Sequence, residues 1–223
     1  MAVESLKLGA YEFITKPFAT EQLLNFVSRA LENIKLKKEN LQLENKLFHS
    51  FDLIGESNQI IKIKKLINKL SATDSRVLVT GPTGSGKELV ARKIHKNSDR
   101  SKNPFIVLNG ASLQPENYEL ELFGSDNKNG SITYGFLEKA ANGTLLIDEV
   151  SEIPLETQAK ILRVLIDQKF KRINGSKDIH VNIRIISSTS KDLKSEVAIG
   201  NFREDLFHRL NVVPIDIPKL NAR

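Results

Sequence analysis

The run Arg76-Val77-Leu78-Val79-Thr80 has the composition of a buried strand. It breaks directly into Gly81, Pro82, Thr83, Gly84, Ser85, Gly86, Lys87 and Glu88, and a helical period follows from Leu89 to His95. Few sequence features constrain a fold as tightly. Glycines at this spacing let successive backbone N–H groups turn toward one phosphate, the helix that opens there points its positive end at the same place, and Lys87 reaches the β and γ oxygens. Such a loop needs a strand before it and a helix after it, which is the unit of an α/β layer structure with a mainly parallel sheet. One position departs from the general pattern: Glu88 stands where Ser or Thr would bind magnesium, so that ion must be held by another residue.

The rest of the chain beyond Phe51 continues the alternation. Val77 to Val79, Phe105 to Leu108, Leu145 to Ile147, Ile183 to Ile186 and Val212 to Ile217 read as buried strands, separated by helical periods over Ile60 to Leu70, Leu89 to His95 and Gln158 to Ile166. Ligands of such sheets sit at the carboxyl ends of the strands. The strand Thr144 to Ile147 ends there in Asp148 and Glu149. Asp148 can hold magnesium through water, and Glu149 can polarise the water that attacks a γ-phosphate, provided the phosphate loop lies two strands away in the same sheet. No Asn-Lys-x-Asp guanine reader is present, which favours adenine. Asn174-Gly175, flanked by Phe170 to Ile173 and His180 to Ile183, signals a hairpin.

Composition removes other classes. The 223 residues contain no Cys, which excludes disulfides, thiolate nucleophiles and cysteine zinc sites, and a cytoplasmic location is expected. No charge-free run of about 18 residues exists, so no membrane span is expected, and Met1-Ala2-Val3-Glu4 does not open a cleavable signal. The net charge of +6 comes from lysines spread along the chain, the pattern of a solvated surface rather than a polyanion groove. His49, His95, His180 and His208 are dispersed without metal spacing.

The first fifty residues differ from the rest. Residues 1–30 read as helix, short strand, helix, a piece too small to enclose a core of its own. Across residues 24–50 apolar positions step by three and four, giving heptads with Leu24, Leu31, Lys38 and Asn45 at one core position and Val27, Ile34, Leu41 and Phe48 at the other. A parallel two-stranded coiled-coil linker is expected; the alternative is an amphipathic helix lying on its own domain. Residues 52–223 form the α/β domain.

Taken together these residues resemble the central ATPase of the NtrC-type, sigma-54-interacting response regulators, a P-loop branch of the AAA+ superfamily. The resemblance runs over residues 1–223. Leu53-Ile54-Gly55-Glu56-Ser57 is similar to the segment that contacts adenine in that family, and the family's phosphate loop also carries Glu after the lysine, as at Glu88. Asn109 matches the polar switch that restrains the catalytic glutamate, here Glu149. Thr189 matches a γ-phosphate sensor, with Ser190 where most members have Asn. Phe202-Arg203-Glu204-Asp205-Leu206-Phe207-His208-Arg209-Leu210 is close to the family consensus and offers Arg203 and Arg209 as fingers for the neighbouring subunit's site. Without the resemblance, Arg203 with Asp205 or Glu204 reads as a surface pair. The resemblance implies ATP and Mg2+ as cofactors, a hexameric ring and a sensor histidine kinase partner. Leu8 to Phe18 is similar to the last third of a flavodoxin-like receiver domain, with Lys16 as its phosphoryl-pairing lysine.

Three departures bear on function. The family's GAFTGA loop is replaced by a short segment between Gly124 and Phe136, which argues against a push on sigma-54 and resembles the NtrX subgroup. The chain starts after the receiver's phosphoacceptor aspartate. It also stops before the helical lid and the DNA-reading helix-turn-helix, so no DNA-binding domain is expected in it. Transcription regulation by ATP hydrolysis at Lys87, Asp148 and Glu149 is the first expectation. A truncated regulator that dimerises or binds nucleotide weakly without turnover is the second.

Overall fold

The computed structural model describes residues 20–49, 53–127 and 130–219. The receiver-like segment with Lys16 lies outside the described residues. The chain divides into two units, 1–52 and 53–223. In the first, Thr20–His49 is one continuous helix, α1. Among its described side chains, Leu24, Val27, Leu31 and Ile34 are all exposed.

The second unit opens with α2 (Asn58–Ser71), begun by Ser57, whose side chain accepts the Ile60 N–H. There follow β1 (Val77–Thr80), α3 (Lys87–Lys96), β2 (Phe105–Asn109) and α4 (Tyr118–Phe123). A short hairpin, β3 (Ser125–Asp126) with β4 (Ile132–Thr133), leads to α5 (Phe136–Lys139) and β5 (Thr144–Asp148). Then come α6 (Leu155–Asp167), a second hairpin of β6 (Lys169–Phe170) and β7 (Ile179–His180), β8 (Arg184–Thr189), α7 (Leu193–Ala198), α8 (Glu204–Leu210) and β9 (Val213–Asp216). The second hairpin falls where Asn174-Gly175 signalled it, with Asn174 at φ +59°.

The five long strands form one parallel sheet in the order β2-β5-β8-β1-β9. Strand alternation separates two cores. Leu78, Leu145, Ile147 and Ile185 face a cluster shared with α4, α6 and α8, while Val77, Val79, Leu146 and Ile186 face one shared with α2 and α3. Apolar positions of α2 recur as Ile60, Ile63, Ile67 and Leu70, all buried, so the helical period turns one face onto the sheet. Each such side chain contributes about 1.5–3 kcal/mol by leaving water. The result is a three-layer sandwich whose five strand tips, Thr80, Asn109, Asp148, Thr189 and Asp216, lie along one edge.

Candidate functional site

The loop after β1 curls over its own lysine. Gly84 and Gly86 take φ of +74° and +85°, a region that a side chain enters only with strain, and this turn aims the first N–H groups of α3 at the space above β1. The N–H groups of Gly84, Gly86 and Lys87 find no backbone acceptor among the described residues, whereas Ser85 N–H closes a turn onto Pro82 at 3.0 Å. Lys87 is buried, 6% exposed. Its Nζ donates to the Gly81 and Pro82 carbonyls at 3.2 and 3.4 Å and pairs with Glu149 Oε1 at 3.0 Å.

The acidic pair arrives from β5. Since β8 lies between β1 and β5, the sheet places Asp148 and Glu149 two strands from the loop, as the sequence reading requires. Asp148 accepts a short hydrogen bond from Ser188 Oγ on β8. Glu149 sits at φ +49°, ψ +56°, a left-handed conformation that a carboxylate side chain adopts at a cost of order 1–3 kcal/mol, and this bend swings its head toward Lys87. Ser190 completes the arrangement: its N–H and its hydroxyl both donate to Glu149 Oε2, each at 2.8 Å. Burial by itself raises the Glu149 pKa, but the two Ser190 donors and Lys87 outweigh it and hold the carboxyl below its ordinary value.

The remaining candidate residues take other partners. Asn109 is not brought onto Glu149; its Oδ1 accepts the Ala111 N–H and caps the turn that follows β2. Thr189 is fully buried, donates to Ser151 Oγ and accepts the Lys191 N–H, so Ser190, one residue later, is the group that faces the carboxylate. Glu88 turns along its own helix to Arg92 at 2.6 Å. Ile54 is 84% exposed, and Gly55 packs against Ile60. A groove of about 600 Å³ borders the loop, with Gly81, Pro82, Ser190 and Phe207 in its wall.

The two arginines stand apart. Arg203 caps α8, is exposed, and grips Asp205 at 2.7 and 3.0 Å. Arg209, in the last turn of the same helix, has no ion-pair partner among the described residues and shares a cleft with Arg76. Burial, then the Arg209 charge, lowers the pKa of Arg76. Because β9 runs parallel to β1, the residues preceding the two strands lie together at the end of the sheet opposite the phosphate loop, and Val213 N–H bonds Arg76 O at 3.3 Å. The four residues of β1, at about 3.3 Å each, put roughly 13 Å between that end and the loop. Arg209 therefore faces away from the site of its own chain.

The sigma-54 interaction domain profile matches residues 53–216. NtrX of Azorhizobium caulinodans is 46% identical over 100% of this chain and 49% of its own length. The chain belongs to the sigma-54 interaction domain family. Two solved structures of NtrX from Brucella abortus are similar to this chain. One, in complex with ADP, is 47% identical with a TM-score of 0.80, and one, in complex with ATP, is 46% identical with a TM-score of 0.78; each is matched over 100% of this chain and 50% of the other. The chain thus spans about half the length of these NtrX relatives.

The segment between Gly124 and Phe136 carries a hairpin lashed to its surroundings. Arg172 reaches Asp126 at 3.0 Å and Glu138 at 2.6 Å, and the Asp126 N–H bonds Ile173 O at 3.0 Å. Sequence reading passed over Arg172, Ser188 and Gln158, because each acts through contacts between elements far apart in the chain. Ser190 alone left a signal: a hydroxyl directly after a buried strand, in the place of the family's Asn. Among the described residues no helix is long and apolar enough to cross a membrane.

Proposed function

We propose that this domain binds ATP and hydrolyses it in an assembly where a neighbouring copy completes the site. The observation that carries the reading is the buried Lys87–Glu149 pair at 3.0 Å, held beneath a loop in which the N–H groups of Gly84, Gly86 and Lys87 have no backbone acceptor among the described residues. A triphosphate entering there exchanges with Glu149 for Lys87, since both are anions competing for one buried ammonium. The exchange frees Glu149 to take a proton from water beside the γ-phosphate, while Ser190 keeps it oriented. Arg209, facing outward at the far end of the sheet, neutralises charge on the phosphoryl group of the next copy, a contribution worth roughly 10³ to 10⁵ in rate in known cases. The ADP and ATP complexes of B. abortus NtrX support the nucleotide assignment.

Asp148, with Ser188 beside it, is the residue that would hold Mg2+. Among the described residues no group of three or more His, Cys, Asp or Glu is gathered around a point. Bound there, Mg2+ would supply positive charge that offsets the charge of the phosphates.

The exposed stripe Leu24, Val27, Leu31 and Ile34 on α1 supports self-association through a coiled-coil linker over residues 24–50. The short, tethered hairpin after Gly124 supports a regulator that does not drive sigma-54 through a GAFTGA finger. Residues 1–30 as the end of a receiver, and a sensor histidine kinase as partner, rest on the family alone.

ATP turnover measured across a range of protein concentrations tests the reading. Specific activity should rise with concentration and fall to background in Lys87→Ala and Arg209→Ala. Flat background activity with dimers in sedimentation would favour a non-catalytic regulator instead.

A further inference from the structure

Gln158 is a side chain that none of the chemistry above uses. It projects from the first turns of α6 and is completely buried. All of its hydrogen-bonding groups point at backbone. Nε2 donates to Ile153 O at 2.7 Å and to Asn201 O at 3.1 Å, and Oε1 accepts the Arg203 N–H at 2.9 Å. The three partners come from two separate functional segments. Ile153 ends the short 3-10 turn (Val150–Glu152) that follows Glu149 directly. Asn201 and Arg203 belong to the turn that starts α8, the helix carrying both arginines. The orientation of the amide is fixed by its partners, because only NH2 satisfies two carbonyls and only the carbonyl oxygen satisfies an N–H.

We infer that Gln158 is a positioning residue that sets the start of α8, and hence Arg203 and Arg209, against the segment behind Glu149. Arg203 has no side-chain cap at its helix start, and its N–H is one of the orphan donors of a helix end. Gln158 supplies the missing acceptor from a different helix. The same amide holds Ile153, so a displacement of the Glu149 segment is transmitted to the finger helix through two hydrogen bonds and one rigid side chain. The consequence is specific. The group is in contact with its own chain's glutamate segment, yet the geometry it fixes serves the neighbour's site. The inference rests on the proposed hydrolysis in an assembly, and the test below separates the two.

The test uses Gln158→Met, which keeps the volume and removes all three bonds, and Gln158→Glu, which keeps the acceptor for Arg203 and loses both donors. For each, affinity for a fluorescent ATP analogue, KM and kcat are measured. Nucleotide affinity and KM should stay within about twofold of wild type, while kcat of Gln158→Met falls roughly 10²-fold, the size of effect that a small misplacement of catalytic groups produces. Mixing then decides direction. Lys87→Ala copies have a dead loop and sound fingers; Gln158→Met copies have a sound loop and misplaced fingers. In a random one-to-one ring roughly a quarter of the interfaces join a sound loop to sound fingers, so activity should return to about that fraction of wild type. If the wild-type chain turns over ATP and the mixture stays as inactive as its parts, the inference is wrong while the proposed function stands. If neither variant binds nucleotide, Gln158 is a residue of the core alone and the inference is equally wrong. If the wild type shows no turnover at all, the proposed function has failed first.

Discussion

Replacing Glu149 by Gln isolates the competition at the centre of the site. The substitution leaves the shape and the acceptor for Ser190 in place and removes one charge from the contact with Lys87. That contact is largely sequestered, with side-chain exposures of 6% for Lys87 and 15% for Glu149 at 3.0 Å. A hydrogen bond to a charged group contributes about 1.5–3 kcal/mol, and because the one oxygen of the glutamine stays with Ser190 its NH2 faces Lys87 and recovers none of it, so the nucleotide-free protein should lose at least about 1.5 kcal/mol. In the complex Lys87 faces phosphate instead, and the loss there is small. ATP should therefore bind roughly tenfold tighter to Glu149→Gln than to wild type, the factor that corresponds to about 1.4 kcal/mol. Urea unfolding without nucleotide reads the first quantity, and titration with a fluorescent ATP analogue reads the second. The two must move in opposite directions by similar amounts. Unchanged affinity together with unchanged stability would refute the idea that Glu149 and the triphosphate compete for one lysine, whatever happens to hydrolysis.

Three further outcomes follow from the geometry. Burial, then the charge of Arg184, pushes His95 down to about 4 from 6.5; the unfolded chain therefore binds the extra proton first, and stability should fall as pH drops from about 6.5 to about 4, by roughly 3 kcal/mol in total. Urea melts at a series of pH values should show that slope in wild type and lose it in His95→Gln. Gly124 has φ +70°, and a Cβ there would meet Thr133 O at 2.1 Å, so Gly124→Ala should destabilise the domain by more than about 2 kcal/mol; Gly130, at φ +81° with nothing within 4 Å, should lose only about 1 kcal/mol as Ala. Denaturant midpoints compare the two. Finally, Leu24→Asn with Leu31→Asn should shift the chain toward monomer in sedimentation, and an unchanged mass would remove α1 as the association surface.

The parts of this architecture legible in the sequence are those coded by short-range pattern. The glycines at 81, 84 and 86 announce a loop because their backbone angles exclude most other residues, and the apolar runs announce strands because both faces of a parallel sheet are covered. Even the insertion of β8 between β1 and β5 agrees with the expected two-strand separation of loop and acids. What the sequence could not show is which partner each polar group takes once the sheet closes. Asn109 is the tip of β2 and Ser190 follows the tip of β8, and only the three-dimensional path of Glu149, bent through a left-handed turn, decides that Ser190 receives it. Arg203 and Arg209 are equivalent candidates in the sequence. In the structure one is committed to Asp205 on the surface, and the other shares a cleft with Arg76 and has no ion-pair partner among the described residues. Gln158 is invisible to motif reading because its meaning lies in three backbone atoms from two distant segments.

Calorimetric titration of the wild-type chain and of Lys87→Ala with ATP in the presence of magnesium tests the central claim most directly. Wild type should release heat with saturable, one-to-one binding, and loss of the ammonium should weaken that binding at least tenfold, about 1.4 kcal/mol. Equal binding by both proteins, or none by the wild type at millimolar nucleotide, would contradict a site built on this loop and this lysine.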